Sequence, residues 1–529
     1  MFTKKANLSG ETSYDMADYV PKPYLVLNKN SDTLNIDKNS YKSLDPSRPY
    51  VELSGSSDKY YVTFGDSRSE PSMYGSIYKV TKNGDIKLGT DKPAGTYRSL
   101  NSSDKATIYI DGKYTLFGDA IFDELKFKGV NLANETWKNT HGSNEKGLYG
   151  MGKILIIGTG IEVSSHVQIF GGKDASITTK IPSGLSEGDQ KTMIFSDGSS
   201  PVTVNLATCL IIHSGVYYNV ALGGRYCNIG SANTNLLSTY GVLKGGAVLD
   251  TVYGSSVYGD VYSATSGTSS KDVGGTFLYI TGAFMPGDDW VDKNTDDYKG
   301  QRTSYELRDV SVINGGSRQK SLIGSSHVLV TDHASVYDVT GAGRESSAYT
   351  DFSYLEVSGR ATVRHAACGG AMNAVGDNKY LQLIGHSYVS ILGNCRIANV
   401  YGAGYDIWDK TTGRSMINGG TITVSMSGGE VGNIYGGGYR GSVGDINNYS
   451  SLKIKIIVDG GTILDSVYGG GSGGLDKAKH DGNGNVYMYN GPGWTDTTGR
   501  SFVYGDIDIQ IKKGEIGGSV YGGGMSVPF

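Results

Sequence analysis

Three loops share residue types that could bind a ligand: Trp408 to Ser415 reads WDKTTGRS, Trp494 to Ser501 reads WTDTTGRS, and Trp290 to Thr303 reads WVDKNTDDYKGQRT. Each carries a tryptophan, an aspartate, a threonine, a glycine and an arginine ahead of a strand. An indole face accepts the apolar side of a sugar ring, and a guanidinium donates to its hydroxyls, so Trp290, Arg302, Trp408, Arg414, Trp494 and Arg500 are candidate ligand-binding residues. The alternative is that each Trp folds back on its own loop while the Arg binds loop carbonyls.

Two of the loops are also rich in oxygen donors. Asp292, Asn294 and Asp296 follow the alternation of a calcium loop, but Asp297 stands where glycine belongs and no glutamate follows at position twelve. Asp481, Asn483 and Asn485 repeat the alternation, again without the glutamate. Calcium is the ion these two trios would take; a solvated acidic turn is the competing reading. No other cofactor is implied.

What positions these loops is a repeat. TITVSMSGGEVGNIYGGG (Thr421 to Gly438), LKIKIIVDGGTILDSVYGGG (Leu452 to Gly471) and DIDIQIKKGEIGGSVYGGG (Asp506 to Gly524) are near copies, and looser ones end at Tyr253 and Tyr401. Each opens with an apolar residue at every second position, the period of a half-buried strand, and then passes through glycine to a second short strand ending in Val-Tyr or Ile-Tyr. Glycine corners cannot bury such a strand's apolar edge within one copy. Stacking the copies can, because each strand then pairs with its equivalent in the next coil and the inward side chains form one core. The predicted fold is all-β, a right-handed parallel β-helix, or β-solenoid.

The chain divides by texture. Residues 1–20 are polar and predicted to be disordered; 21–91 hold short strands between Asn, Asp, Ser and Pro turns, as a small β-domain or cap; and 92–529 carry the solenoid, which is expected to continue past SVYGGGMSVPF. About 20 to 30 residues per coil at about 4.8 Å per coil predicts a rod of some 15 to 20 coils.

Composition narrows the classes. The 529 residues include 79 Gly but only 11 Pro, without a collagen period, and the net charge of -4 gives no nucleic-acid footprint. No apolar stretch approaches a membrane span, and the N-terminus lacks the apolar core of a signal peptide. Tyrosine is abundant at 38 residues, read as β-propensity with a solvated edge, or else as a sugar-facing surface. Cys209, Cys227, Cys368 and Cys395 have no metal-site spacing, so buried free thiols are expected; pairing within Cys209/Cys227 or Cys368/Cys395 is the alternative.

GTYRSL, YTLFGDAIFDELKFKG, GKILIIGTGIEV and the repeated GGTILDSVYGGG together resemble the Gly-rich, pectate-lyase-like β-helix repeats of adhesin-like surface proteins of gut bacteria and archaea, over about residues 92–529. The resemblance implies an extracellular or cell-surface protein whose partners are glycans or host or cell-surface proteins. The alternative is a polysaccharide-degrading β-helix, a lyase, a glycoside hydrolase or a phage tailspike. Against catalysis, Asn294-Thr295-Asp296-Asp297 matches only one element of the polygalacturonase set, and the eight histidines contain no HxH or HExxH. No catalytic residue is assigned.

Overall fold

The structure is a computed structural model. It describes most of residues 147–179, then 205–231, 237–262, 275–283, 312–318, 322–344, 349–371, 383–405, 420–439, 449–473 and 503–525, with short isolated strands at 375–376, 408–409, 443–444, 479–480 and 486–487, and the backbone of short strands between 51 and 129. Among these residues the chain is almost entirely strand. The one helical element among the described residues is a single 3₁₀ turn, Tyr449–Ser451. The chain is an all-β parallel β-helix, and it divides into two compact units: Met1–Gly259 with Ile280–Val312, and Asp260–Tyr279 with Ile313–Phe529.

In the first unit two parallel ladders repeat. One runs Ala120–Phe122, Ile154–Ile157, Leu206–Ile212 and Ser238–Leu243; the other runs Lys113–Leu116, Gly147–Tyr149, Gln168–Phe170, Val216–Ala221 and Ala247–Tyr253. A separate parallel sheet joins Asp85–Lys87, Ala106–Ile110, Leu125–Gly129 and Glu162–Val163. Among the described residues of this unit, antiparallel pairing is confined to the start of the chain, where Val51–Ser54 meets Lys59–Val62 and Phe64–Asp66 lies along Tyr114–Leu116.

His213, in this unit, is a half-buried titratable group. Burial, and then the charge of nearby Lys244, lowers the pKa of His213 from 6.5 to about 4, and its Nε2 atom is buried without a hydrogen-bond partner. Because the folded pKa lies below the unfolded one, the unfolded chain takes up a proton first as pH falls. The associated stability is complete above pH 6.5 and lost on the way to about 4. A thermal melt series should show a loss on the order of 1 kcal/mol across that window, allowing for partial solvent access, and His213→Gln should flatten it.

The second unit shows the repeat most fully. Its first ladder runs through Leu322–Val330, Tyr349–Val357, Leu383–Ile391, Gly420–Met426, Leu452–Ile463 and Asp506–Ile516, in register. Its second runs through Ser335–Thr340, Thr362–Cys368, Arg396–Tyr401 and Glu430–Tyr435, then through the end of Leu452–Ile463 with Val467–Tyr468, and on to Val520–Tyr521. The alternation read in the sequence is the alternation of burial. Leu452, Ile454, Ile456 and Val458 are buried while Lys453 and Lys455 face outward. Ser326, Ser353, Ser387, Ile422, Ile454 and Ile507 share one inward column. Its serines donate to the carbonyls of Gly341, Gly369 and Gly402 at 2.5, 2.5 and 2.6 Å, so no hydroxyl is left unsatisfied there. The four cysteines are buried free thiols.

The coils are unequal, and most are longer than the spacing expected from the sequence. The position held by Leu322 recurs at Tyr349 and again at Leu383, and the position held by His386 recurs at Thr421, Lys453 and Asp506. The step from Leu322 to Tyr349 is the shortest of these, and the step from Lys453 to Asp506 is nearly twice as long. The excess sits at one place. The first-to-second-ladder turns, such as 331–334 and 392–395, are tight, and so are the glycine corners at 369–371, 402–404 and 436–438. A third row of single bridges follows, Tyr405 to Tyr439 to Ser472 to Met525, and the insertions leave after it.

Candidate ligand-binding face

The corner from which the insertions leave is flanked by two aromatic rows. Tyr401, Tyr435, Tyr468 and Tyr521 occupy one register position at the end of the second ladder, and their rings stack at 4.9, 5.0 and 5.0 Å. Tyr405 and Tyr439, on the bridge row beside them, stack at 4.4 Å, and Tyr401 meets Tyr405 edge-on at 5.7 Å. This is where the Val-Tyr and Ile-Tyr endings of the repeat converge. Burial, and then the neighbouring Tyr468, pushes the Tyr435 hydroxyl up to about 12; burial does the same more strongly to Tyr401. Both remain protonated donors at neutral pH.

A polar row runs along the outer side of the second ladder. The buried Asp338 carboxylate lies 2.8 Å from His365 Nδ1. Asn399 Nδ2 donates to the His365 carbonyl at 3.4 Å, Asn433 Nδ2 donates to Asn399 Oδ1 and to Asp465 Oδ2, each at 3.3 Å, and the Ser466 backbone N–H donates to Asn433 Oδ1 at 3.2 Å. Asn433 thus spends both amide protons on neighbouring coils, which fixes its side chain. Asp465, which accepts through Oδ2, is exposed.

His365 ties the two systems together. Its ring stacks on Tyr337 at 5.1 Å, takes the edge of Tyr405 at 5.4 Å, and sets Nε2 3.4 Å from the Tyr405 hydroxyl, while the Arg364 guanidinium lies 5.7 Å from the Tyr337 ring. Aspartate, imidazole and hydroxyl in sequence are the parts of a proton relay. Most glycoside hydrolases use two carboxylates about 5 to 9.5 Å apart, however, and Asp338 and Asp465 are four coils apart on this row, about 19 Å at about 4.8 Å per coil. Asp338 also raises the pKa of Cys368, after burial itself, so that thiol is held as an unreactive core group.

Compared with protein-family models, curated proteins and solved structures, the chain matches none. The reading of this face therefore stands on its own residues and their register.

Most of the loop residues singled out in the sequence lie outside the described residues: Trp290, Arg302, Arg414, Trp494 and Arg500, and the calcium candidates Asp292, Asn294, Asp296, Asp481, Asn483 and Asn485. The backbone of Trp408 is described, in a two-residue parallel pairing with Val375. Their attachment points are clear. The segments holding Trp408 with Arg414 and Trp494 with Arg500 leave from the bridge row after Tyr405 and after Ser472, two bridge steps apart. That is about 10 Å at about 4.8 Å per step, closer than the separation of the two loops in the chain suggests. The segment holding Trp290 and Arg302 joins Gly275–Ile280, on the first ladder, to Val312–Asn314, on the second. It leaves from a different corner. Among the described residues no group of three or more His, Cys, Asp or Glu side chains could hold a metal ion.

His365, Asp338, Asn399 and Asp465 were not legible as a site. They are scattered along the chain, and only the register of the coils gives their spacing a meaning. The signal in the sequence was the shared distance of Asn399 and Asn433 from their Val-Tyr and Ile-Tyr endings, two positions ahead of Tyr401 and Tyr435.

Proposed function

We propose that this protein is a non-catalytic β-solenoid of the cell surface or extracellular space, adhesin-like, that holds a glycan or protein ligand along the bridge-row corner of its second unit. The observation that carries the reading is that the long insertions between Ala371 and Val503 all leave after the bridge row, at one corner, while the segment holding Trp290 leaves between the two ladders. In repeat architectures the per-coil insertions gather on one face, which is often the binding face. Here two of them, which carry the Trp-to-Arg wording, are attached two bridge steps apart. An indole platform with guanidinium and carboxylate partners, repeated along an axis, suits an extended ligand better than a single small molecule. Calcium at the Asp481, Asn483 and Asn485 trio would stiffen one of these loops.

The test is a glycan array followed by titration with the full chain. Trp408→Ala and Trp494→Ala should each weaken binding about 10-fold, roughly 1.4 kcal/mol, with thermal stability nearly unchanged. A stability loss of about 3 kcal/mol or more would instead make the indoles buried staples. New reducing ends or unsaturated uronates from a polysaccharide panel would replace binding by cleavage, with the Asp338, His365 and Tyr405 relay as the place to look.

A further inference from the structure

Five tyrosines of the second unit form one body of touching rings. Tyr405 stacks on Tyr439 at 4.4 Å and meets Tyr401 edge-on at 5.7 Å. Tyr401 in turn stacks on Tyr435 at 4.9 Å and lies 5.7 Å from Tyr439, and Tyr435 stacks on Tyr468 at 5.0 Å. Tyr401 and Tyr435 are buried, whereas Tyr405, Tyr439 and Tyr468 are half-buried, so the cluster reaches solvent on three successive coils. Phenols are among the most easily oxidised side chains, and rings in contact pass an electron vacancy from one to the next. Proton transfer decides where it stops, because a phenol that has lost an electron is a strong acid and keeps the vacancy only once its proton has left.

The hydroxyls differ in what can take that proton. Tyr435 meets Met525 Sδ at 3.4 Å and hydrogen-bonds the Ser472 side chain, and neither is a base. Tyr405 faces His365: its hydroxyl is 3.4 Å from Nε2, while Nδ1 of the same ring is 2.8 Å from Oδ1 of the buried Asp338. In the neutral imidazole Nδ1–H donates to that carboxylate, which leaves the Nε2 lone pair for Tyr405. Stacking on Tyr337 at 5.1 Å holds the His365 ring in place. We propose that Tyr405 is a redox-active tyrosine, the residue on which an electron vacancy left anywhere in the five-ring cluster by a one-electron oxidant comes to rest. In that step the oxidant gains one electron, the Tyr405 O–H bond breaks, and the proton passes to His365 Nε2. The products are a neutral phenoxyl radical and an imidazolium that faces the Asp338 carboxylate, so the charge of the site rises only by the one electron removed. The stack collects the vacancy from three coils and the His365–Asp338 pair fixes it at one residue, whatever ligand the neighbouring corner takes.

The test oxidises the full chain with flash-generated tris(bipyridyl)ruthenium(III), a one-electron acceptor, and follows the tyrosyl radical by transient absorption and freeze-quench electron paramagnetic resonance. A long-lived radical should form, and Tyr405→Phe, which keeps the ring in its stack, should abolish it. Tyr226→Phe, at an exposed ring of the first unit, should leave it unchanged. His365→Gln should slow formation on the order of 100-fold, the low end of what a positioned base contributes. Formation in the unaltered chain should also be slower in heavy water, because the O–H bond breaks in the step. Circular dichroism shows whether His365→Gln is folded; if it is not, Tyr405→Phe and the solvent isotope effect decide without it. An equal yield of long-lived radical in Tyr405→Phe, a rate that is the same in light and heavy water, or a folded His365→Gln variant as fast as the unaltered chain would each overturn the proposal.

Discussion

Gly436→Ala should cost the folded chain about 3 kcal/mol, the upper part of the range for overpacking a filled site. A Cβ there meets the backbone oxygen of Gly469 and lies 2.5 Å from Ile454 Cγ2. Neither can yield cheaply. The Gly436 N–H donates to the Tyr468 carbonyl at 2.9 Å, and the Gly437 N–H to the Gly470 carbonyl at 3.0 Å, so the two corners are held together on both sides of the clash. Gly522→Ala is the matched control, because open space surrounds the equivalent position, and it should stay within about 0.5 kcal/mol. Urea denaturation followed by circular dichroism compares them. Equal midpoints for the two variants would mean that close approach of the coils is not why the repeat carries glycine.

The second large effect is expected at Tyr435. Its side chain is 4% exposed and its ring is flanked by Tyr401 at 4.9 Å and Tyr468 at 5.0 Å. Tyr435→Ala should therefore cost about 4 kcal/mol, as loss of a core aromatic does. Tyr521, at 47% exposure with a neighbour on one face, should lose only about 1 kcal/mol on the same change. Tyr435→Phe removes the 3.4 Å contact of the hydroxyl with Met525 Sδ and its hydrogen bond with the Ser472 side chain, and should cost only about 1 kcal/mol. A stable Tyr435→Ala variant would show that the inner rings are not a structural stack and would return them to the list of ligand platforms. In the stack as described, each inner face is already covered by the next tyrosine, which leaves ring edges and hydroxyls, rather than faces, for a ligand.

The abundance of tyrosine shows how far residue counting reaches. Thirty-eight tyrosines were compatible with a solvated strand edge or with a sugar-facing surface. In the second unit the residues ending Val-Tyr and Ile-Tyr do neither in the main: they stack on one another. Their role is set by a register that repeats every coil, which residue type alone does not express.

Strand character, coil stacking and the inward faces were determined by the sequence itself, because a period of two is local and survives in a stretch as short as LKIKIIVDGG. Ile454 and Ile456 are buried and Lys453 and Lys455 are not, as that alternation demands. Buried free thiols followed as well, since no cysteine spacing matched a metal site. Three things required the tertiary structure. The coil length did, because insertions of unequal size, the largest of them between Lys453 and Asp506, hide the repeat from a fixed count. The corner from which each Trp loop leaves did, because one lies between the two ladders and two lie after the bridge row. The row of Asp338, His365, Asn399, Asn433 and Asp465 did, because its hydrogen bonds join side chains on successive coils, and only stacking in register brings residues so distant in the chain within reach of one another.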